Sequence, residues 1–236
     1  VRLSHFNDDI ALLSFKSKAN TISQAVLDGL EEAIEKAENH CQGMIIYQAD
    51  VNNFSGGADL KAVATLIQAN KMDVVEQMLT QFQHQVMRLK YSSIPVVAAL
   101  RGRALGGGCE LMMHCHTVAA FESYPGLVEV GVGLIPAGGG CDIQRYFEQI
   151  ATAVVAGSAP DARLRGYLRP QDGWVMHSEE VLYAAVAKIK FLQATNYVAP
   201  LKSRFKVAGR EGHAKLQVGL VNWLEGRFIS EHDYFL

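Results

Sequence analysis

The chain has 236 residues, 49% of them hydrophobic, and its 22 basic and 24 acidic residues give a formal net charge of −2. This length and apolar content predict one large domain or a domain with an appendage. The balanced charge excludes the basic surplus typical of nucleic-acid-binding proteins, and no apolar run approaches the roughly 20 residues that span a bilayer.

The first residues and the cysteines predict where the protein is located and whether the chain is part of a longer one. No signal peptide is present, and four cysteines without regular spacing indicate reduced thiols, so we expect a cytoplasmic location. The chain begins with Val1 rather than methionine and is strand-like within a dozen residues. We therefore expect a piece of a longer polypeptide.

Strand and helix patterns alternate along the chain. Short apolar runs predict strands at 10–15, 43–49, 94–100 and 117–121. Helical spacing of apolar residues predicts helices at 26–37, from 60 to about 89, and at 178–193 and 212–224. The alternation predicts an α/β fold with largely parallel strands.

Two glycine-rich corners each lead into a predicted helix, one at 56–58 and one at 106–108. Glycine allows a sharp bend and a close approach, and the first N–H groups of a helix have no partner within it. Two such amides, those of Ala58 and Gly107, could form an oxyanion hole, which stabilises negative charge on a carbonyl oxygen. Either corner, taken alone, is better explained as an ordinary tight turn.

Two glutamates lie close in sequence to glycine-rich segments. Glu110 falls in the first turn of the helix that follows 106–108, and Glu129 interrupts the apolar stretch 127–136. A glutamate in such a stretch is either exposed at an edge or buried, and burial would raise its pKa and suit it to proton transfer. From the residues alone, a role of Glu129 in proton transfer and a purely structural role are equally compatible with this pattern.

Three motifs follow one another in a fixed order. They read FSGGADLK at 54–61, RGRALGGGCEL at 101–111, and a glutamate at 129 followed by IPAGGG at 135–140. With this order and spacing, over roughly residues 1–146, the chain resembles the crotonase (enoyl-CoA hydratase/isomerase) superfamily. The resemblance implies an α/β, crotonase-like (ββα)n superhelix with a C-terminal helical region.

The resemblance also implies a reaction, the addition of water to trans-2-enoyl-CoA to give 3-hydroxyacyl-CoA in fatty-acid β-oxidation. Glu110 would deprotonate the water and Glu129 would protonate the α-carbon. The amides of Ala58 and Gly107 would hold the thioester oxygen. The implied acyl-CoA contacts are Ala58, Asp59, Leu60, Lys61 and Gly139.

The resemblance and the spacing of possible metal ligands together decide which cofactors and which alternative functions we expect. CoA enters as part of the substrate, and His114 to His116 with Cys109 lack the spacing of a tetrahedral metal site, so no metal is expected. An enoyl-CoA isomerase, which needs one glutamate, and a non-catalytic assembly module stay open. The presence of both Glu110 and Glu129 favours the hydratase.

The C-terminal part departs from simple hydratases. A segment near 147–151 is shortened or missing relative to the superfamily, so we expect a catalytic core at 1–166 and a helical extension at 167–236. The extension resembles bacterial β-oxidation proteins in which a 3-hydroxyacyl-CoA dehydrogenase precedes the hydratase. No strand-linked G-x-G-x-x-G occurs, so NAD would bind only to a dehydrogenase domain elsewhere in the parent protein. The resemblance further implies a homo-oligomer, either a trimer or a pair of trimers.

Overall fold

The computed structural model describes residues 1–6, 9–132, 143–202 and 209–235, with the backbone alone at 143–146 and 215. Within these residues the strands are Arg2–Phe6 (β1), Ile10–Ser14 (β2), Gly43–Tyr47 (β3), Asn53–Ser55 (β4), Val96–Leu105 (β5), His116–Gly126 (β6) and Gly173–Val175 (β7). The α-helices are Gln24–His40 (α1), Leu60–Gln68 (α2), Met72–Lys90 (α3), Gly107–Met113 (α4), Ile143–Ala151 (α5), Ala159–Arg165 (α6), Val181–Ala194 (α7), Gly209–Glu225 (α8) and Glu231–Phe235 (α9).

The described strands form a single sheet in the order β1-β2-β3-β5-β6-β7, with β4 also paired to β5. β1 is antiparallel to β2, and every other pairing is parallel. The predicted parallel α/β arrangement is therefore confirmed, with one antiparallel strand at its edge.

The central strand β5 is buried on both faces of the sheet. Val96, Ala98 and Leu100 pack into one apolar cluster with α1, α3 and α4. Val97 and Ala99 point to the opposite face and pack into a second cluster with α7. Side chains alternate across a strand, so burial on both faces explains why this stretch is continuously apolar.

β5 extends beyond the predicted end at residue 100 because Arg101 is accommodated inside the fold. Its guanidinium lies 4.7 Å from the centre of the Tyr47 ring. It also donates hydrogen bonds of 3.0 Å to the carbonyls of Gln48 and Ala49. A charged side chain with these partners does not end the strand, which continues to the second glycine corner.

The single helix predicted from residue 60 to about 89 was wrong, because two helices occupy this stretch. α2 ends at Gln68 and α3 begins at Met72. Asn70 between them has a φ of 54°, a left-handed conformation that asparagine adopts more readily than most residues. The amide of Lys71 then donates to the carbonyl of Leu66 at 2.9 Å, which closes the end of α2.

The residues after 166 contribute directly to the sheet. β7 pairs with β6, and α7 covers the face of the sheet opposite to α1 and α3. The segment near 147–151, where a shortening is predicted, lies at the end of α5.

Among the helices that the structure describes, none combines the length and the apolar composition needed to cross a membrane.

Candidate active site

The first glycine corner joins β4 to α2 and is held by the segment that precedes α1. The amide of Ile22 donates to the carbonyl of Gly57 at 2.8 Å, and the amide of Asp59 donates to the carbonyl of Ile22 at 3.2 Å. The Gly57–Ala58 peptide is trans, so its N–H points opposite to its C=O. The Ala58 amide therefore faces away from Ile22, and it has no hydrogen-bond partner within the described part of the chain.

The second corner joins β5 to α4. Gly106 has a φ of 51°, and its carbonyl accepts hydrogen bonds from the amides of Cys109 at 2.8 Å and Glu110 at 3.0 Å. This carbonyl therefore points along α4. The Gly107 N–H, on the other side of the same trans peptide, points out of the start of the helix.

The two corners are in contact. Gly57 has a φ of 82°, and a β-carbon built there would lie 2.6 Å from the carbonyl oxygen of Leu105 and 3.5 Å from the nitrogen of Gly107. Such an approach of backbone to backbone requires a residue without a side chain. The outward-facing amides of Ala58 and Gly107 consequently lie on two backbone segments that pack against each other.

The carboxyl group of Glu129 lies against the second corner. A β-carbon built at Gly106 would be 3.1 Å from Glu129 Oε1. Glu129 Oε2 is buried and has no hydrogen-bond partner among the residues that the structure describes. Burial raises the pKa of Glu129 above its usual value, and hydrogen bonds from the backbone of Glu129 and Val128 oppose this only in part. This carboxyl group therefore retains a proton more readily than an exposed glutamate.

Glu110 lies in the first turn of α4 and is only 4% exposed. Burial raises the pKa of the neighbouring Cys109 thiol well above its usual range, and the negative charges of Glu110 and Glu129 raise that pKa further. Both carboxyl groups are therefore close enough to one thiol to act on it. The structure thus brings four residues to one place, namely Ala58, Gly107, Glu110 and Glu129.

This arrangement suits chemistry at a carbonyl compound. Two outward-facing amides can hold an oxygen on which negative charge develops, and two carboxyl groups beside them can accept and donate protons. Within the described ranges, no three His, Cys, Asp or Glu side chains are grouped so that they could hold a metal ion.

A family model described as enoyl-CoA hydratase/isomerase matches residues 5–157, more than half of the chain. This chain belongs to the enoyl-CoA hydratase/isomerase family.

Relatives of this family member are longer proteins. The "Probable 3-hydroxyacyl-CoA dehydrogenase" of Bacillus subtilis is 35% identical over 249 residues, which cover 98% of this chain and 31% of that protein. The "Fatty acid oxidation complex subunit alpha" of Shewanella frigidimarina is 33% identical over 161 residues, which cover 64% of this chain and 22% of that protein. The chain thus spans about a third or less of the length of these relatives.

A solved structure identifies the fold. The enoyl-CoA hydratase from Bacillus anthracis superposes with a TM-score of 0.72 at 24% identity, over 82% of this chain and 76% of that chain. The fold is therefore the crotonase fold, as the three motifs predict.

The remaining acyl-CoA contacts that the family resemblance implies lie at the start of α2, directly after Ala58, or outside the described residues. The carboxylate of Asp59 accepts a hydrogen bond from the amide of Ala62 at 3.2 Å and caps α2. Leu60 and Lys61 are exposed in the first turn of that helix. Gly139 lies outside the described residues.

Sequence reasoning missed the residues that hold the first corner. The hydroxyl of Ser55 donates to the carbonyl of Asn20 at 2.8 Å and accepts from the amide of Gly57 at 3.2 Å. The side-chain amide of Asn20 donates to the carbonyl of Asn53 at 2.7 Å. The only signal in the sequence is a serine beside a glycine pair, because the partner segment lies 35 residues earlier.

Proposed function

We propose that this chain is an enoyl-CoA hydratase, which adds water to trans-2-enoyl-CoA and yields 3-hydroxyacyl-CoA. The observation that carries the proposal is the placement of Glu129 against Gly106, one residue before the outward-facing amide of Gly107. Glu110 lies on α4, the short helix that begins at Gly107, so a second carboxyl group accompanies that of Glu129. A hydratase needs this pair, because one group handles the water and the other the α-carbon proton.

The reaction proceeds through a charged oxygen. Glu110 removes a proton from water while the oxygen of that water bonds to the β-carbon. The electron pair of the double bond moves toward the thioester, and the amides of Ala58 and Gly107 stabilise the resulting enolate oxygen. Glu129 then gives its proton to the α-carbon, and the raised pKa of its carboxyl group suits this role. The proton that Glu110 took from water then returns to Glu129 by exchange with solvent, so the net change is one water added across one double bond.

We further propose that the parent protein is a longer β-oxidation enzyme that also carries a 3-hydroxyacyl-CoA dehydrogenase. The names of the two longer relatives support this, since one is called a dehydrogenase and the other a subunit of a fatty acid oxidation complex. The product of hydration, a 3-hydroxyacyl-CoA, is the substrate that such a dehydrogenase oxidises.

The test uses crotonyl-CoA, whose conjugated double bond absorbs ultraviolet light and loses that absorbance on hydration. We expect Glu129→Gln to lower the hydration rate by at least about a hundredfold, the usual scale for losing a general acid–base group. Glu122→Gln, which changes an exposed glutamate on β6, is the matched control and should retain the parent rate.

The same assay separates the alternatives. A 3-enoyl-CoA whose absorbance rises on addition of the protein would show an isomerase instead. A chain that changes neither substrate would be a non-catalytic module. Glu129→Gln working at the parent rate would contradict the role given to Glu129.

A further inference from the structure

We propose that Ser55 is a positioning residue that fixes the two amides of the oxyanion hole relative to each other. The inference rests on the proposed function, because it concerns the same two amides. Ser55 is completely buried at the end of β4, so it does not touch the substrate and acts only through its neighbours.

The hydroxyl of Ser55 holds the first corner from within. It accepts a hydrogen bond from the amide of Gly57 at 3.2 Å and donates one to the carbonyl of Asn20 at 2.8 Å. Gly57 directly precedes Ala58, so fixing the Gly57 amide limits rotation of the next peptide, which carries the outward-facing N–H. Asn20 has a φ of 53°, and its side-chain amide donates to the carbonyl of Asn53, so the backbone that accepts from Ser55 is itself attached to β4.

The same side chain touches the second corner. A β-carbon built at Gly108 would lie 2.6 Å from the β-carbon of Ser55 and 2.8 Å from its hydroxyl oxygen. Ser55 therefore lies between Gly57 and Gly108, each of which adjoins one of the two proposed amides. A larger side chain would push the second corner away, and alanine would remove the hydrogen bonds to the first.

The separation of the two amides matters because hydrogen bonds to a developing oxyanion must be in place before the reaction. Shifts of about 0.5 Å in such groups are enough to impair a site. Without the Ser55 hydroxyl the buried Gly57 amide loses its acceptor, and the corner can relax toward another partner.

The experiment compares Ser55→Ala with Ser123→Ala in the otherwise unchanged chain. Ser123 is equally buried, and its hydroxyl donates to the carbonyl of Leu100 at 3.2 Å, away from both corners. We expect Ser55→Ala to lower kcat for crotonyl-CoA by about tenfold with KM within about threefold, since the amides act mainly in the transition state. Ser123→Ala should lose stability to a similar degree and keep its kcat.

A second measurement reads the amides directly. Acetoacetyl-CoA can form an enolate, which has its own ultraviolet absorption, and the oxyanion hole should favour that enolate in the bound state. In Ser55→Ala the apparent pKa for enolisation of the bound ligand should rise by about one unit, equivalent to the tenfold loss in rate. A role limited to folding would not move this pKa.

The outcomes separate the inference from the function on which it rests. A parent chain that neither hydrates crotonyl-CoA nor binds the enolate overturns the proposed function and the inference together. If the parent chain is active but Ser55→Ala and Ser123→Ala have the same kcat and the same enolate pKa, the inference alone is overturned. If Ser55→Ala does not fold, Ser55→Cys replaces it, because a thiol fills the same place but is a weaker hydrogen-bond donor and acceptor than a hydroxyl. An unchanged kcat and enolate pKa in that variant would also overturn the inference.

Discussion

At the level of single residues, Glu129 shows how the candidate site conflicts with stability. Its carboxyl group is partly buried against Gly106, and one of its oxygens has no hydrogen-bond partner in the described part of the chain. Burial disfavours the charged form and raises the pKa of Glu129. The folded chain is therefore destabilised whenever this carboxyl group is ionised.

We predict that Glu129→Gln stabilises the fold at neutral pH while it impairs hydration. The pKa of Glu129 in the folded state lies above the unfolded value of about 4.5. The contribution of the protonated Glu129 carboxyl group to stability is therefore fully present below pH 4.5, and it is lost as pH rises through the folded-state pKa. The glutamine variant should thus gain about 1 kcal/mol or less at pH 7, after allowance for partial exposure, and nothing near pH 4.

Thermal unfolding between pH 4 and pH 8 checks this prediction, with Glu122→Gln as the exposed control. A glutamine variant that is less stable than the parent at pH 8 would show that the Glu129 carboxylate is stabilised in the fold.

The sequence indicated the residues of the candidate site better than it indicated their support. Glu129 is conspicuous as a lone acid in an apolar stretch, and the glycine pairs mark bends. The hydrogen bond from Ser55 to Asn20 spans 35 residues, and no local pattern links the two positions. Contacts between distant segments depend on the fold, which a single motif does not encode.

At the level of secondary-structure elements, the stability of α2 depends on interactions at its two ends rather than on burial in the core. The helix has no buried residue, and its first turn is capped by the carboxylate of Asp59. Its last turn is closed by the left-handed Asn70. In the sequence, the only sign that α2 ends here is the run Ala-Asn-Lys at 69–71. The apolar spacing continues through this run and therefore favours one long helix.

We predict that Asp59→Ala unfolds the start of α2 locally. Losing the cap costs about 1 kcal/mol, so the amides in the first turn of α2 should exchange with solvent about fivefold faster. The midpoint of global unfolding should stay nearly constant because α2 buries no side chain. Hydrogen exchange resolved by residue measures the first effect, and calorimetry measures the second.

Asp59→Asn is the matched control, because asparagine also caps helices and should restore slow exchange. A global loss of stability in Asp59→Ala equal to the local loss would contradict the prediction.

At the level of the whole molecule, Asp172 joins the C-terminal part to the sheet. Its carboxylate is 3% exposed and accepts hydrogen bonds from the amides of Thr117 at 3.0 Å and Arg169 at 2.8 Å. The guanidinium of Arg169 adds an ion pair at 3.1 Å. One carboxylate thus connects the beginning of β6 with the turn that leads to β7.

We predict that Asp172→Ala lowers the free energy of unfolding by about 3 kcal/mol, since it leaves the amides of Thr117 and Arg169 without their acceptor and removes the ion pair with the Arg169 guanidinium. Urea unfolding measures this change. Asp161→Ala is the control, because Asp161 pairs with Arg165 at the surface and should cost less than about 1 kcal/mol. Equal losses in the two variants would show that Asp172 is not a connection between the two parts.

The sequence predicted the long parallel strands of the sheet but not its shortest strands. β2, β3, β5 and β6 each overlap an apolar run that the sequence shows clearly, although β5 and β6 extend beyond theirs. β4 and β7 have three residues each, too few for a periodic pattern, and they form because a long neighbouring strand offers free backbone groups. Such short strands can be placed only after the sheet is known.

The environment of Cys109 has a practical consequence. Its thiol is buried beside two carboxyl groups and stays protonated, so alkylating reagents cannot modify it while α4 remains in place. Among the cysteines that the structure describes, Cys41 is partly accessible, so we expect it to react before Cys109. The rate at which Cys109 is modified therefore reports how often α4, the helix that also carries Glu110, opens away from the sheet.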